Sequence, residues 1–231
     1  LQPDPLVANS LSGSVIGALY EDRTGDLWIG IHGGGLDRYD RATGQFTHYS
    51  HTADDPHSLG HDHVKALYED HEGVLWVGTN QGLDRYDRAT GEFTHYVHDP
   101  GDPGSLSRGA AKVILEDHAH ALWIGMEDPG SINRFDITTG TTTGTFTRYE
   151  YDPDDPNSFI NTYGVRAIYE DQAGDLWLGT YNGLVHFDPD TGSFTQYLHD
   201  PENPHSLSHN FVWSIYEDPD RNLWIGTAEG L

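Results

Sequence analysis

One position recurs in five segments of the chain and holds a cationic side chain in three of them. Each segment ends in Glu-Asp, and the residues five places before that Asp are Gly17, Lys65, Lys112, Arg166 and Trp213. Both lysines of the chain lie at this position. Equivalent cations in an acidic protein could bind a carboxylate, sulfate or phosphate group of a ligand. In the alternative interpretation, their aliphatic stems pack between repeats and their charges pair with nearby Asp or Glu.

The Glu-Asp pair has the residue types of a glycoside hydrolase, in which two carboxyl groups act as acid and base. The pair recurs as Glu21-Asp22, Glu69-Asp70, Glu116-Asp117, Glu170-Asp171 and Glu217-Asp218. Adjacent residues of a strand point to opposite sides, and catalysis needs one asymmetric site rather than five equivalent ones. We therefore expect a turn-capping Asp and a solvated Glu in each segment, no catalytic residue, and a protein that is not an enzyme.

Two further patterns contain residue types that bind metal ions. His61-Asp62-His63 places two imidazoles on one side of an extended segment, with His57 nearby, which suits a transition metal. Asp188–Gly192 and Asp152–Asp155 are rich in carboxylates, but neither is a calcium loop that ends in Glu. Because the spacing fixes no third ligand, we interpret these residues as exposed loop and turn residues and predict no metal ion and no cofactor.

The composition excludes several classes of partner. Asp and Glu outnumber Lys and Arg by 37 to 12, a formal net charge of −25, which repels nucleic acids and anionic lipid surfaces. The chain has no cysteine and therefore no disulfide framework. The sequence contains no apolar run long enough for a membrane segment, and Leu1–Ser10 lacks the features of a signal peptide. A soluble small molecule is the expected partner.

A Leu-Trp motif followed by an apolar residue and Gly occurs five times and organises the whole chain. Its tryptophans, separated by 48, 47, 54 and 47 residues, are Trp28, Trp76, Trp123, Trp177 and Trp224. Around each Trp, short runs of β-branched and aromatic residues alternate with turns that contain Gly and Asp, which indicates four strands per repeat. Because its neighbours are apolar, we expect each Trp in the core between repeats rather than on a sugar-binding platform.

Four antiparallel strands and a Trp in each repeat are typical of β-propeller blades. We therefore predict an all-β propeller with four complete four-stranded blades, the two inner strands of a fifth, and no helix. The chain is then a single propeller domain or part of one. The expected blades span residues of about 12–51, 61–99, 108–152, 162–200 and 209–231. A solenoid of stacked hairpins is the structural alternative.

The long connections between blades share one face with the turns between the second and third strands. Loops on one face of a repeat scaffold commonly carry binding. The turns differ between repeats at His32–Gly35, Glu127–Ser131 and Tyr181-Asn182, where aromatic and amide groups suit saccharides. Trp213 could line a central channel. The predicted ligand-binding residues are Lys65, Lys112, Arg166, Trp213, Tyr163, Asn210, Tyr181, Asn182 and His32.

The order of short motifs in each repeat also points to a family. Ser-Leu-Ser, Tyr-Glu-Asp, Gly, Leu-Trp-Ile-Gly-Thr, Gly-Leu, Phe-Asp, Thr-Gly and Phe follow one another over nearly the whole chain. This order resembles the two-component regulator propeller repeat. The resemblance implies a periplasmic or extracellular sensor of a hybrid histidine kinase or related regulator, a group that often responds to oligosaccharides. Arg and Trp are familiar at the position of Arg166 and Trp213 in this family, which favours the structural role for the recurring cations.

Blade three departs most from the pattern. Its first turn, Glu116–His120, contains no Gly, and Thr141–Gly144 lengthens its last hairpin. The resembling family usually assembles seven blades, whereas this sequence supplies four and part of a fifth, and Leu1–Asn9 resembles a connection between blades. A ring of five blades, a ring shared by two chains and a fragment of a larger propeller are all compatible with the sequence.

We predict from these features a non-enzymatic sensor propeller that binds a soluble ligand, such as an oligosaccharide. The second hypothesis is a structural or assembly module in which the open fifth blade pairs with another chain. The third is a propeller lyase or glycosidase, but no asymmetric cluster of nucleophile, base and orienting group stands out from the repeats.

Overall fold

The computed structural model describes residues 9–136, 144–154, 158–159 and 163–231, and within them the chain is all β. None of these residues forms a helix of the length and apolarity needed to span a bilayer. The strands in chain order are β1 (Ile16–Glu21), β2 (Leu27–Ile31), β3 (Gly35–Asp40), β4 (Gln45–Tyr49), β5 (Val64–Glu69), β6 (Leu75–Thr79), β7 (Gly82–Tyr86), β8 (Phe93–Tyr96), β9 (Ala110–Glu116), β10 (Ala121–Glu127), β11 (Ser131–Asp136), β12 (Phe146–Glu150), β13 (Val165–Glu170), β14 (Leu176–Thr180), β15 (Gly183–Asp188), β16 (Ser193–Tyr197), β17 (Val212–Glu217) and β18 (Leu223–Thr227).

The strands form five sheets of consecutive antiparallel hairpins. Four sheets have four strands each, in the orders β1-β2-β3-β4, β5-β6-β7-β8, β9-β10-β11-β12 and β13-β14-β15-β16, and the last sheet pairs β17 with β18. This architecture confirms the predicted β-propeller of four complete blades and two strands of a fifth. Apart from Asn9 and Gly144, the segments Leu1–Asn9 and Thr141–Gly144 lie outside the described residues.

Contacts divide the chain into two compact units, residues 1–99 with 110–114 and residues 100–109 with 115–231. In the first unit, β1 and β2 pack against β5 of the next sheet. In the second unit, β13 and β14 pack against β17, and β10 packs against β13. Within each unit, the first strands of consecutive sheets therefore lie side by side, as they do in the blades of a propeller.

The Asp that closes the first strand of each blade holds the first hairpin together. The Asp22 carboxylate accepts hydrogen bonds from the amides of Thr24 and Asp26 at 2.9 and 3.0 Å and from Trp28 Nε1 at 2.8 Å. Trp76, Trp123, Trp177 and Trp224 make the same indole bond to the closing Asp of their own blades, at 2.7–2.9 Å. The expectation of a turn-capping Asp is confirmed, and the same carboxylate also fixes the indole.

The Glu that precedes this Asp differs from the sequence prediction, because the side chains of Glu69, Glu116 and Glu170 are at most 10% exposed. Glu69 is only 6% exposed, accepts a hydrogen bond from the Arg23 amide at 2.9 Å, and lies 3.1 Å from Arg88 Nη2. Glu170 similarly accepts a bond from the His118 amide at 2.9 Å. The expectation was wrong here because the side of the strand opposite to the Asp faces the preceding blade, which supplies the donor.

The tryptophans provide the core between blades, as the sequence predicts, in the first three repeats. Trp28 is fully buried and packs at 5.2 Å, centroid to centroid, against Tyr86 of the next blade. Trp123 is 1% exposed and packs at 5.6 Å against Phe187. Trp224 is 48% exposed, because it belongs to the two-stranded sheet of β17 and β18. The core role of this Trp therefore depends on a neighbouring blade.

Buried carboxylates on the third strands are paired with histidines of the fourth strands. Asp37 is fully buried, with Oδ1 2.7 Å from His48 Nδ1. Asp84 lies 2.8 Å from His95 Nδ1 and accepts a hydrogen bond from the Gly60 amide at 2.7 Å. The hydrogen bond to Asp84 raises the pKa of His95 above its ordinary value. Each buried charge thus has the partner that burial requires.

We expect substitution of Asp70 by Ala to lower the free energy of unfolding by about 3 kcal/mol, because it leaves the buried Trp76 indole and two turn amides without their acceptor. Urea denaturation followed by circular dichroism measures this change. Asp218→Ala is the matched control, since Asp218 has the same partners beside the exposed Trp224, and it should destabilise less. Equal losses for the two variants would contradict the role assigned to the buried bond.

Candidate functional site

The position at which cations recur is a β-bulge in four of the five blades. In the first hairpin of the fourth blade, Val165 pairs with Thr180 and Ala167 pairs with Gly179, so that Arg166 between them has no residue opposite it on the neighbouring strand. The register shifts in the same way at Gly17, Lys65 and Trp213. A bulge changes the direction of its side chain relative to the regular strand. The fixed spacing seen in the sequence therefore marks a backbone irregularity that the residue types alone did not reveal.

Arg166 lies at the centre of a cluster in the second unit, which we call the Arg166 cluster and which consists of Glu127, Arg166, Tyr181 and Trp213. The guanidinium carbon lies 4.2 Å from the centroid of the Trp213 ring and 5.0 Å from that of the Tyr181 ring. Arg166 Nη1 donates a hydrogen bond to the Tyr181 hydroxyl. That hydroxyl donates in turn to Glu127 Oε1 at 2.6 Å. A cation, a phenol and a carboxylate thus form one hydrogen-bonded chain.

The electrostatics of this chain keep the Tyr181 hydroxyl protonated. Burial raises the pKa of Tyr181, and the hydrogen bond to Glu127 raises it further, whereas Arg166 lowers it. The phenol is therefore neutral at physiological pH, and the Arg166 charge is balanced by Glu127 through it. Such a network orients polar groups and offers no activated nucleophile.

Exposed aromatic rings lie next to this network. Trp213 is 45% exposed, and Phe211, two residues before it, is 43% exposed with its ring edge-on to Tyr181 at 5.9 Å. Tyr163 is 67% exposed and has φ +58°, a left-handed conformation that is unusual for an aromatic residue and often marks functional positions. The sequence analysis did not include Phe211, although its spacing of two residues from Trp213 was a usable signal.

The two asparagines predicted to bind ligand also position the loops of the second unit. Asn210 Oδ1 accepts a hydrogen bond from the His199 amide at 2.7 Å, and the Asn210 carbonyl accepts one from the Gly183 amide at the same distance. The Asn182 carbonyl accepts a bond from Gln196 Nε2 at 2.6 Å. These contacts, two of them through backbone carbonyls, fix the turn that carries Tyr181.

The remaining predicted residues, His32, Lys65 and Lys112, lie in the first unit. His32 is exposed, with its ring centroid 6.0 Å from that of His63. A Cβ added at Gly17 would clash first with the Val64 carbonyl oxygen and would lie 2.6 Å from atoms of the His32 ring. The bulge position of blade one is therefore a glycine because a backbone carbonyl and an imidazole occupy the space of a side chain.

The His61 and His63 rings of the first unit do come together, with centroids 5.2 Å apart. The His63 amide donates to His61 Nδ1 at 2.9 Å, which occupies one of the two nitrogen atoms that could bind a metal. Burial, followed by the nearby His63, lowers the pKa of His61. His57 Nδ1 lies 3.9 Å from Glu92 Oε2. The backbone bond therefore fixes the orientation of the His61 ring, and both histidines are partly buried rather than exposed as the sequence interpretation has them.

Comparison with known proteins agrees with the family resemblance. Residues 10–33, 58–81, 158–182 and 206–229 match the family described as two-component regulator propeller, and each matched segment covers the first hairpin of a blade. Blade three, the most irregular in sequence, is not among the matched segments. No curated protein sequence matches the chain.

Solved structures show the same fold. The extracellular domain of BT4673 from B. thetaiotaomicron, assigned as a hybrid two-component system, is 26% identical with a TM-score of 0.77, and the match covers 94% of this chain but only 27% of that domain. The corresponding domain of BT3049 is 23% identical with a TM-score of 0.69, and the match covers 99% of this chain and 34% of that domain. Virginiamycin B lyase from Staphylococcus aureus shares the fold at 20% identity and a TM-score of 0.64, with 96% of this chain and 70% of the lyase covered. The chain thus spans about a third or less of the extracellular domains that it resembles.

We expect Arg166→Gln to change the environment of Trp213, because the guanidinium that faces its ring would be lost. In protein labelled with 5-fluorotryptophan, the ¹⁹F resonance of Trp213, assigned with Trp213→Phe, should shift while those of buried tryptophans stay in place. Lys65→Gln, at the equivalent bulge of another blade, is the matched control and should leave the Trp213 resonance unchanged. An unshifted resonance in Arg166→Gln would contradict the stacked geometry.

Proposed function

Because the chain carries two-component regulator propeller repeats, we propose that it is the ligand-binding part of an extracytoplasmic sensor and that it binds a soluble oligosaccharide without converting it. The location, periplasmic or extracellular, follows the structural relatives, which are extracellular domains of two-component systems.

The observation that carries the proposal is the Arg166 cluster with its exposed aromatic rim. Trp213, Phe211 and Tyr163 are between 43% and 67% exposed in a part of the chain that also holds a fixed guanidinium, a hydroxyl and a carboxylate. Aromatic faces stack on the apolar faces of sugar rings, while fixed polar groups bond to sugar hydroxyls. The predicted ligand-binding residues Arg166, Trp213, Tyr163, Tyr181, Asn182 and Asn210 all belong to this part of the second unit, which supports their assignment as one site.

The geometry favours recognition over catalysis. A catalytic phenol or carboxylate needs a pKa close to the working pH, and the pKa of Tyr181 is instead raised above its ordinary value. Arg166 is held by the hydroxyl and ring of Tyr181 and by the ring of Trp213, an arrangement suited to orienting a ligand. Similarity to virginiamycin B lyase extends to the fold alone at 20% identity. We therefore propose a binding module rather than a lyase or glycosidase.

We expect Trp213→Ala to weaken oligosaccharide binding by more than about tenfold, because truncation of a central aromatic residue removes most of the contact energy in such sites. A glycan array of neutral and uronic-acid oligosaccharides identifies the ligand, and calorimetric titration of that glycan measures the change. Product analysis by chromatography checks that the glycan remains intact.

Tyr216→Ala is the matched control for this titration. Tyr216 lies on the same strand, β17, and is 61% exposed, but it pairs with Trp224 at the end of the hairpin that is fixed by Asp218. The control should bind like the unmodified protein. Equal affinities for Trp213→Ala and the unmodified protein would refute the site, and cleavage of the glycan would refute the non-enzymatic function.

A second candidate function, assembly, rests on the fifth blade. In the described part of the chain, β18 pairs only with β17, so one edge of β18 has no strand beside it. A groove of about 500 Å³ follows that edge, lined by residues that include Pro204, Leu207, Trp224 and Ile225. An open edge with apolar neighbours suits pairing with a strand from another chain.

If the second function holds, we expect the molar mass measured by light scattering to rise with protein concentration, because the edge of β18 would pair between chains. Replacement of Ile225 by Lys should then restore the monomer mass, since an inward charge blocks edge pairing. Val97→Lys, at an exposed position after β8, is the matched control. A constant monomer mass at all concentrations would count against assembly and favour the sensor.

A further inference from the structure

The face of the blade tryptophan carries a cation in two blades. In blade one, the guanidinium carbon of Arg38 lies 5.7 Å from the Trp28 ring centroid, and Arg38 Nε donates to Asp26 Oδ2 at 2.7 Å. In blade three, Arg134 lies over Trp123 at 5.9 Å. Both arginines occupy the third-strand position that pairs with the Trp of the second strand. This position is therefore a place where the fold accommodates positive charge.

Blade four has a histidine at the same position. His186 pairs with Trp177 across β14 and β15, and the two ring centroids lie 4.6 Å apart. His186 Nε2 lies 2.9 Å from Asp175 Oδ2. Asp171, the Asp that closes the first strand, completes a group in which one ligand atom from each residue lies within 4.8 Å of the others. An imidazole and two carboxylates thus converge beside the indole.

The second carboxylate of this group is not a general feature of the repeat. The position four residues after the closing Asp is Asp26 in blade one and Asp175 in blade four, whereas the other blades have Val74, Ala121 and Asn222. On the third strand, Arg38 bonds to Asp26 in blade one, and His186 bonds to Asp175 in blade four. In blade one, the permanent guanidinium charge neutralises the carboxylate. In blade four, an imidazole, which carries no permanent charge, lies beside the carboxylates of Asp171 and Asp175.

The geometry points to a divalent metal site, for Zn²⁺, formed by Asp171, Asp175 and His186. Zinc binds imidazole nitrogen and carboxylate oxygen at about 2.0–2.2 Å, so that its ligand atoms lie roughly 3.4 Å apart, a separation that the group reaches with small side-chain rotations. The histidine ligand disfavours Ca²⁺ and Mg²⁺, which prefer oxygen alone.

The surroundings of the three residues suit a bound ion. Asp171 Oδ1 accepts hydrogen bonds from the amides of Ala173 and Asp175 at 2.9 and 3.1 Å, and Oδ2 accepts one from Trp177 Nε1 at 2.9 Å. A lone pair therefore remains on Oδ2 for a metal. The side chains of His186 and Asp175 are 25% and 30% exposed, so water can complete the coordination. The ion would provide in blade four the positive charge that Arg38 provides in blade one. The sequence analysis missed this site because fifteen positions separate Asp171 from His186 and no short motif joins them.

Calorimetric titration of the whole chain with Zn²⁺ tests the site. We expect His186→Arg to remove one equivalent of bound Zn²⁺ relative to the unmodified protein, because it recreates the arrangement of blade one and should fold like it. Asp175→Asn should weaken binding of that equivalent by more than about tenfold, since it removes an anionic ligand. The matched control is His48→Gln, which disrupts a histidine–aspartate pair that has no place in the proposed site, and it should retain the full stoichiometry.

Cobalt spectroscopy provides a second measurement, which does not depend on how many Zn²⁺ ions other histidines of the chain bind. Co²⁺ bound to one imidazole and two carboxylates should give visible absorption bands that disappear in His186→Arg and persist in His48→Gln. Circular dichroism of each variant establishes that it is folded. Unchanged zinc stoichiometry and an unchanged cobalt spectrum in folded His186→Arg would overturn the proposal. Because the site contains no residue of the Arg166 cluster, either result leaves the oligosaccharide proposal to its own test.

Discussion

The hydrogen bond from the blade tryptophan to the closing aspartate is the interaction on which the rest of the structure depends. One carboxylate caps the first turn and fixes the orientation of the indole, and the same arrangement occurs in all five blades. The fixed Trp28 ring faces the guanidinium of Arg38 from its own third strand and that of Arg88 from the next blade, and it makes a T-shaped contact with Tyr86. Beside Trp28, the neighbouring blade is present and the Asp22 carboxylate is buried. Hydrogen bonds to both of its oxygens and the aromatic packing around the indole offset the cost of burying this charge.

Specific sites arise where repeats that share this scaffold differ in a few side chains. The bulge on the first strand redirects one side chain per blade, and the chain fills that place with Gly17, Lys65, Arg166 or Trp213. In the second unit, two consecutive bulge residues stack on each other, and the turn of blade four adds Tyr181. The scaffold supplies equivalent positions, and the asymmetry that recognition needs comes from what occupies them.

The same logic applies to the third strand beside the tryptophan. Arg38 and His186 occupy equivalent positions and face equivalent aspartates, but only the guanidinium carries a permanent charge. A repeat protein thus contains its own control for each proposed site, since a neighbouring blade shows the same backbone with different chemistry. The irregular third blade has Arg134 at this position but Ala121 in place of the second carboxylate.

The sequence by itself determined the repeat, the number of blades, the turns and the role of the closing aspartate. These features depend on alternation and on contacts within a few residues, such as the bond between Asp22 and Trp28, so residue types at fixed spacing predict them. The tertiary structure alone decided which side chains meet between blades. Tyr181 and Glu127 are 54 positions apart, and the partner that buries Glu69 lies 46 positions before it, so no local pattern could pair them. The bulge was likewise invisible, because it depends on how two strands align, and that alignment decides where each recurring cation points.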